Sequence, residues 1–339
     1  MRRSTLAPTA PPVLVVLAFL VVLAFLVVFA FLVVGVAACG GSGAVGPSAA
    51  PVTQTAGPDA SAGASTGAGG PTVIPVIVSG QQVVGPNRFL FSFLDPDTNL
   101  PAATPDRTAS VAFIAPGETD PGAAVVAEFV WGIPDTRGDY IAKVDFASAG
   151  DWKAIFITGV QGGPTEAIGV AFQVLPDGHA VAVGERAPAS KTPVATDVGG
   201  DLRRLSTDLQ PDAAFYRVSV HDALARRAPF VLAFATPAFC RSAQCGPTLD
   251  LIKSVARTSP STVVFINVEP YQLAYADGRL QPVLDADDQL QPVPSVNEWG
   301  ILTEPWVFAV DRNGIVRGSF EGVVTEAELK AVIAEIAGS

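Results

Sequence analysis

The chain has 339 residues, 49% hydrophobic and only 16% charged, with a formal net charge of −11. That length suggests about two folded units of ~100–200 residues each, and the apolar content excludes wholesale disorder. The 32 glycines and 29 prolines require long loops or linkers. The acidic balance provides no basic footprint for a phosphate backbone, so no nucleic-acid partner is expected.

Arg2 and Arg3 precede an apolar stretch from Val13 to Ala38 built on a hexapeptide repeat. Val15–Leu20 and Val21–Leu26 both read VVLAFL, and Val27–Leu32 reads VVFAFL. The stretch ends in Val36-Ala37-Ala38-Cys39, followed by two glycines. This string resembles the lipobox of bacterial lipoproteins, where a peptidase cuts before the cysteine and the cysteine carries lipid. The resemblance implies a signal peptide over residues 1–38 and lipidation at Cys39. The run is longer than the usual ~7–15 residues of a signal sequence, so an uncleaved spanning helix is the alternative. Both readings put the remainder outside the cytoplasm, with the arginines inside. The expected location is therefore the cell envelope, with the membrane as a partner through the lipid anchor.

Residues 39–71 are nearly all Gly, Ala, Ser, Thr and Pro, with Asp59 the only charge. Such a segment cannot bury enough apolar surface to offset its ordering. It reads as a flexible linker with a root-mean-square reach of roughly 30 Å.

Residues 72–184 carry seven strand-length apolar runs separated by turn residues such as Asp95-Pro96-Asp97 and Pro176-Asp177-Gly178. The spacing suits an all-β immunoglobulin-like sandwich. The alternating Tyr140–Phe146 strand, followed by Gly150-Asp151-Trp152, resembles a passage of small periplasmic domains of that type. No cysteine lies there, and His179 sits beside Gly178 in a turn, as a solvated histidine would. No chemistry is assigned to this unit, which reads as a binding or spacing module. Residues 185–212, with several prolines and Gly199-Gly200, read as a connector.

Residues 213–339 hold the chain's other two cysteines. Phe230–Ala235 reads as a buried strand running into Cys240, and Gly246-Pro247 opens a helical pattern through Leu249, Ile252 and Val255. Thr262–Val268 is a second strand. Trp306–Val310 and Ile315–Phe320 flank the turn Asp311–Gly314. Thr325-Glu326-Ala327-Glu328 is a capping box opening a last helix. Between Tyr271 and Pro294, LQPV occurs twice, as expected of a surface flap or hairpin.

This order of residues resembles the thioredoxin-like superfamily, in its exported, membrane-tethered thiol-disulfide oxidoreductase branch. The resemblance implies an α/β fold, Cys240 as nucleophile and Cys245 as resolving cysteine. It also makes Pro305 the family's cis-proline, with Glu304 beside it, where substrate binds. Partners would be exported thiol proteins or other envelope proteins, and no cofactor is needed. The sequence departs from the family pattern in having four residues between the cysteines. Ala233 and Phe234 also stand where the family keeps a buried acid.

Five residues of regular helix would rotate the two cysteines by about 140° and separate them by ~7.5 Å. A disulfide needs Cα atoms within roughly 7 Å, so residues 240–245 must form a loop if the two pair. Three readings of the pair follow: thiol-disulfide exchange, a structural staple, or metal handling. Copper chaperones of the superfamily add a histidine near the late strand. Residues 297–303 contain none, and His221 reads as a surface residue, so no metal site is expected.

Overall fold

The computed structural model describes residues Gly70 to Ser339. The expected signal peptide, the lipid site Cys39 and most of the linker lie outside those residues. Among the described residues no helix is long and apolar enough to cross a membrane.

The first eight strands are β1 (Ile74–Ile77), β2 (Gly85–Leu94), β3 (Arg107–Ile114), β4 (Val125–Val126), β5 (Glu128–Ile133), β6 (Arg137–Phe146), β7 (Gly150–Val160) and β8 (Glu166–Val174). They form two antiparallel four-stranded sheets, ordered β1-β2-β6-β5 and β4-β3-β7-β8. Alternation in β2 sends Phe89, Phe91 and Phe93 inward. There they meet Tyr140 and Phe146 of β6 and Phe156 of β7, all buried. The Phe91 and Phe156 ring centroids lie 4.9 Å apart, so aromatic contacts cross directly between the two sheets.

The later elements are α1 (Val220–Ala225), β9 (Phe230–Phe234), α2 (Cys245–Ala256), β10 (Val264–Val268), β11 (Leu273–Ala276), β12 (Arg279–Pro282), α3 (Pro294–Trp299), β13 (Trp306–Val310), β14 (Val316–Glu321) and α4 (Glu326–Gly338). A third sheet runs β10-β9-β13-β14, with β9 and β10 parallel and the other pairs antiparallel. All five residues of β9 and of β13 are buried, because both faces of the sheet are covered. Val231, Ala233 and Val307 pack under α2 and α4, while Leu232, Phe234 and Phe308 pack on the opposite side with Trp299. The capping box on α4 is formed, with Thr325 and Glu328 bonding reciprocally.

The expected fold class is corrected. Among the described residues the structure is mostly β, with four sheets, four α-helices and 18% helical content, and no clear α/β thioredoxin-like domain emerges there. Among the described strands β9 and β10 are the one parallel pair, beside an isolated parallel bridge between Val83 and Leu175. Two of the four helices, α1 and α3, have six residues each. Residues 213–216 form a 3-10 turn. The segment between Tyr271 and Pro294 carries a two-stranded hairpin, β11-β12, one of the two forms expected of it. Short turns and hairpins thus occupy the chain where longer helices would complete an α/β alternation.

The sandwich and the third sheet touch through specific contacts. Arg88 of β2 grips Glu328 of α4 with both nitrogens of its fork, at 2.8 and 3.0 Å. Leu90 and Ile141 pack against Val323.

Candidate functional site

Strand β9 ends at Phe234, and the chain then turns through Thr236-Pro237 to reach Cys240. Cys240 and Cys245 form a disulfide with Cα atoms 6.0 Å apart. Residues 240–244 make the loop that the spacing demands, and Ala243 takes a left-handed conformation (φ 59°) that folds it back. Cys245 is the first residue of α2. The two sulfurs differ in environment: Cys245 is fully buried, whereas Cys240 is half-buried. The Cys245 N–H donates to Cys240 Sγ at 3.2 Å, and the Ser242 hydroxyl lies 3.4 Å from the same sulfur. Negative charge on Cys240 Sγ is favoured by these groups and by the positive end of the helix.

Glu304 and Pro305 face this loop from the segment before β13. Glu304 Oε1 accepts from the Arg241 N–H at 3.0 Å, and its carbonyl accepts from the Ser242 hydroxyl at 3.2 Å. Glu304 Oε2 accepts from the Tyr271 hydroxyl at 2.6 Å. Burial, then the Glu304 carboxylate, pushes the Tyr271 phenol well above its ordinary pKa. The Glu304–Pro305 peptide is cis. Pro305 is buried and its carbonyl accepts from the Gly322 N–H at 2.8 Å. Proline has no N–H, so Glu304 rather than Pro305 offers polar groups to the loop.

The structure adds residues that the sequence reading did not assign. Arg137 and Asp139 of β6 reach the loop from the sandwich: Arg137 donates to the Ser242 carbonyl at 3.4 Å. Asp139, fully buried, accepts from Gln244 Nε2 at 2.6 Å. Burial raises the Asp139 pKa, and Arg137 with Gln244 oppose that only in part. The sandwich therefore braces the disulfide loop, a role that strand periodicity alone does not reveal.

A buried acid is present as well, on a different strand from the one inspected in the sequence. Glu269 follows directly on β10, beside Thr236, and is 8% exposed. Burial lifts its pKa to about 7, although the Thr207 amide and hydroxyl donate to Oε1. The one sequence signal was a lone glutamate closing the apolar strand Val264–Val268. Neither histidine joins the site: His179 and His221 are exposed. Among the described residues no three His, Cys, Asp or Glu side chains gather as a metal site.

No family model and no curated protein matches the chain. Two solved structures show distant similarity. One is a DUF4426 family protein from Pseudomonas aeruginosa PAO1, 9% identical, covering 27% of this chain and 76% of that one with a TM-score of 0.20. The other, from Bacteroides vulgatus ATCC 8482, is provisionally classed as a glycoside hydrolase. It is 12% identical and covers 63% of this chain and 35% of that one, with a TM-score of 0.19. Likeness at that level carries no functional argument.

Proposed function

We propose that this protein exchanges disulfides with other exported proteins while tethered, outside the cytoplasm, to a membrane of the cell envelope. The observation that carries the reading is the asymmetry of the Cys240–Cys245 pair. Cys240 is half-buried, and Cys245 is fully buried at a helix start.

An incoming thiolate attacks Cys240 Sγ, the bond to Cys245 breaks, and the electron pair leaves on Cys245 Sγ at the first turn of α2. The substrate's second thiolate then attacks its own sulfur in the mixed disulfide and expels Cys240 as a thiolate. The substrate dithiol is oxidised and the protein disulfide reduced, and the same steps reversed reduce a substrate disulfide. The relative potentials of the partners set the direction.

The competing reading is a structural staple, since closing so short a loop contributes about 2–3 kcal/mol in the chain-entropy picture. Equilibration with glutathione buffers separates the two. Exchange predicts a potential above about −300 mV and a Cys240 thiol titrating below its ordinary ~8.5. A lower potential with no depressed thiol pKa defeats it. Mixed-disulfide trapping assigns the roles: Cys245→Ser should accumulate adducts on Cys240, and Cys240→Ser should not.

The tether rests on Val36–Cys39. Mass spectrometry of the mature N-terminus should find a lipid-modified Cys39. An intact Met1, or Cys39 without lipid, overturns the lipoprotein part while leaving the thiol chemistry to stand on its own test.

A further inference from the structure

A pocket of about 720 Å³ opens between the connector, the end of β10 and the β11-β12 hairpin. That volume lies within the range of small-molecule sites. Asn267 and Glu269 line it at 2% and 8% exposure. Asn267 Oδ1 has no hydrogen-bond partner, and Glu269 Oε2 has only the buried, otherwise unengaged Thr236 hydroxyl as a neighbouring donor. Asn267 Nδ2 is turned toward the Tyr216 hydroxyl at 3.0 Å and the Ala235 carbonyl at 3.5 Å. The carbonyl only accepts, so it fixes which end of the amide is left over.

Two cations, Lys191 and Arg204, also line the pocket. Among the described residues neither has a carboxylate within ion-pair distance, although Arg204 lies over the Tyr275 ring at 5.5 Å. Leu205, Leu273, Leu280 and Val283 add apolar wall. The remaining carboxylate, Glu298, is engaged by the Ser190 hydroxyl.

Buried acceptors without donors are uncommon in folded proteins, and a ligand that brings donors satisfies them. Unpaired cations beside them favour a carboxylate on the same ligand. We propose that this pocket binds a zwitterion of the amino-acid class. Its ammonium donates to Asn267 Oδ1 and Glu269 Oε2, its carboxylate faces Lys191 and Arg204, and its apolar side chain lies along Leu273, Leu280 and Val283. The ligand is a free amino acid or a short peptide with both termini charged, which share this chemistry. The site does not depend on the thiol reading.

Calorimetric titration of the full-length protein with leucine, Leu-Leu and N-acetyl-leucine amide tests it. The expected result is saturable binding of leucine or Leu-Leu, the tighter of the two naming the source, and at least tenfold weaker binding of the capped amide. Arg204→Ala, on an exposed side chain, and Glu269→Gln should each weaken the zwitterion by about tenfold. Absence of binding by every probe at about 10 mM overturns the proposal. Equal binding of the capped amide, or affinities unchanged in both variants, overturns it as well.

Discussion

Glu269→Gln should make the protein more stable than wild type above pH 7, and about equally stable near pH 4.5. The Glu269 carboxyl has its pKa lifted from 4.5 to about 7 in the folded state, chiefly by burial. Between those values the folded chain holds a proton that the unfolded chain has released. Stability therefore falls as pH rises through this window, and the loss is complete above the folded pKa. The full swing corresponds to about 3 kcal/mol. Glutamine is neutral at every pH and keeps an acceptor for the Thr207 amide and hydroxyl, so this share of the pH dependence disappears. Urea midpoints of both proteins from pH 4.5 to 8 measure it. Parallel profiles would show that Glu269 does not titrate in this range. The raised pKa values of Asp139 and Glu321 leave a slope common to both proteins, so the difference isolates Glu269. The same variant should bind a zwitterion more weakly while folding more stably, so lost binding cannot be ascribed to unfolding.

Gly300→Ala should cost about 3 kcal/mol or more, among the largest effects of any single methyl in this chain. Gly300 ends α3 in a left-handed conformation (φ 64°), and its N–H donates to the Asn297 carbonyl at 3.2 Å. A Cβ there would run into the backbone carbonyl of His179, where residues 179–181 cross the end of the helix. Val181 N–H donates to the Trp299 carbonyl at 3.1 Å in the same crossing. Backbone held on both sides cannot step aside as a flexible side chain would. The left-handed conformation alone costs a non-glycine residue about 1–2 kcal/mol, and the clash adds to that. Gly162→Ala is the control: its φ is 81°, but nothing lies near the added carbon. Denaturant unfolding of the two variants should differ by about 2 kcal/mol. Equal losses would mean that the His179 crossing yields easily. Because residues 301–305 carry Glu304 to the disulfide loop, Gly300→Ala should also loosen the Glu304–Arg241 contact.

Much of the local structure was legible in the residues. The seven runs between Val73 and Val174 appear as strands with small boundary shifts, because their alternation matches a half-buried sheet. One of them, Val125–Trp131, divides into β4 and β5. The capping box at Thr325 and the turn at Asp311–Gly314 followed from side chains that bond to neighbouring backbone, and the helix opening at Cys245 from the Gly246-Pro247 pair in its first turn. The Cys240–Cys245 loop was legible for a geometric reason, since five helical residues cannot close a disulfide.

The assembly of those pieces was not legible. The resemblance to an α/β class failed because motif order does not state how much chain becomes helix. That quantity depended on the short 3-10 turns between residues 195 and 216, which the motif order left unread. Asp139, Gln244, Arg137 and Glu269 were passed over because nothing in the local sequence distinguishes any of them from a solvated polar residue. Burial and partner are properties of chain segments about 100 residues apart, as in Gln244 with Asp139. Sequence alone determined the strands, caps, turns and the cysteine spacing, all set by interactions within a few residues. Only the tertiary structure decided that the sandwich braces the disulfide loop and that Glu269 sits dry beside a pocket, because desolvation arises when distant segments exclude water together.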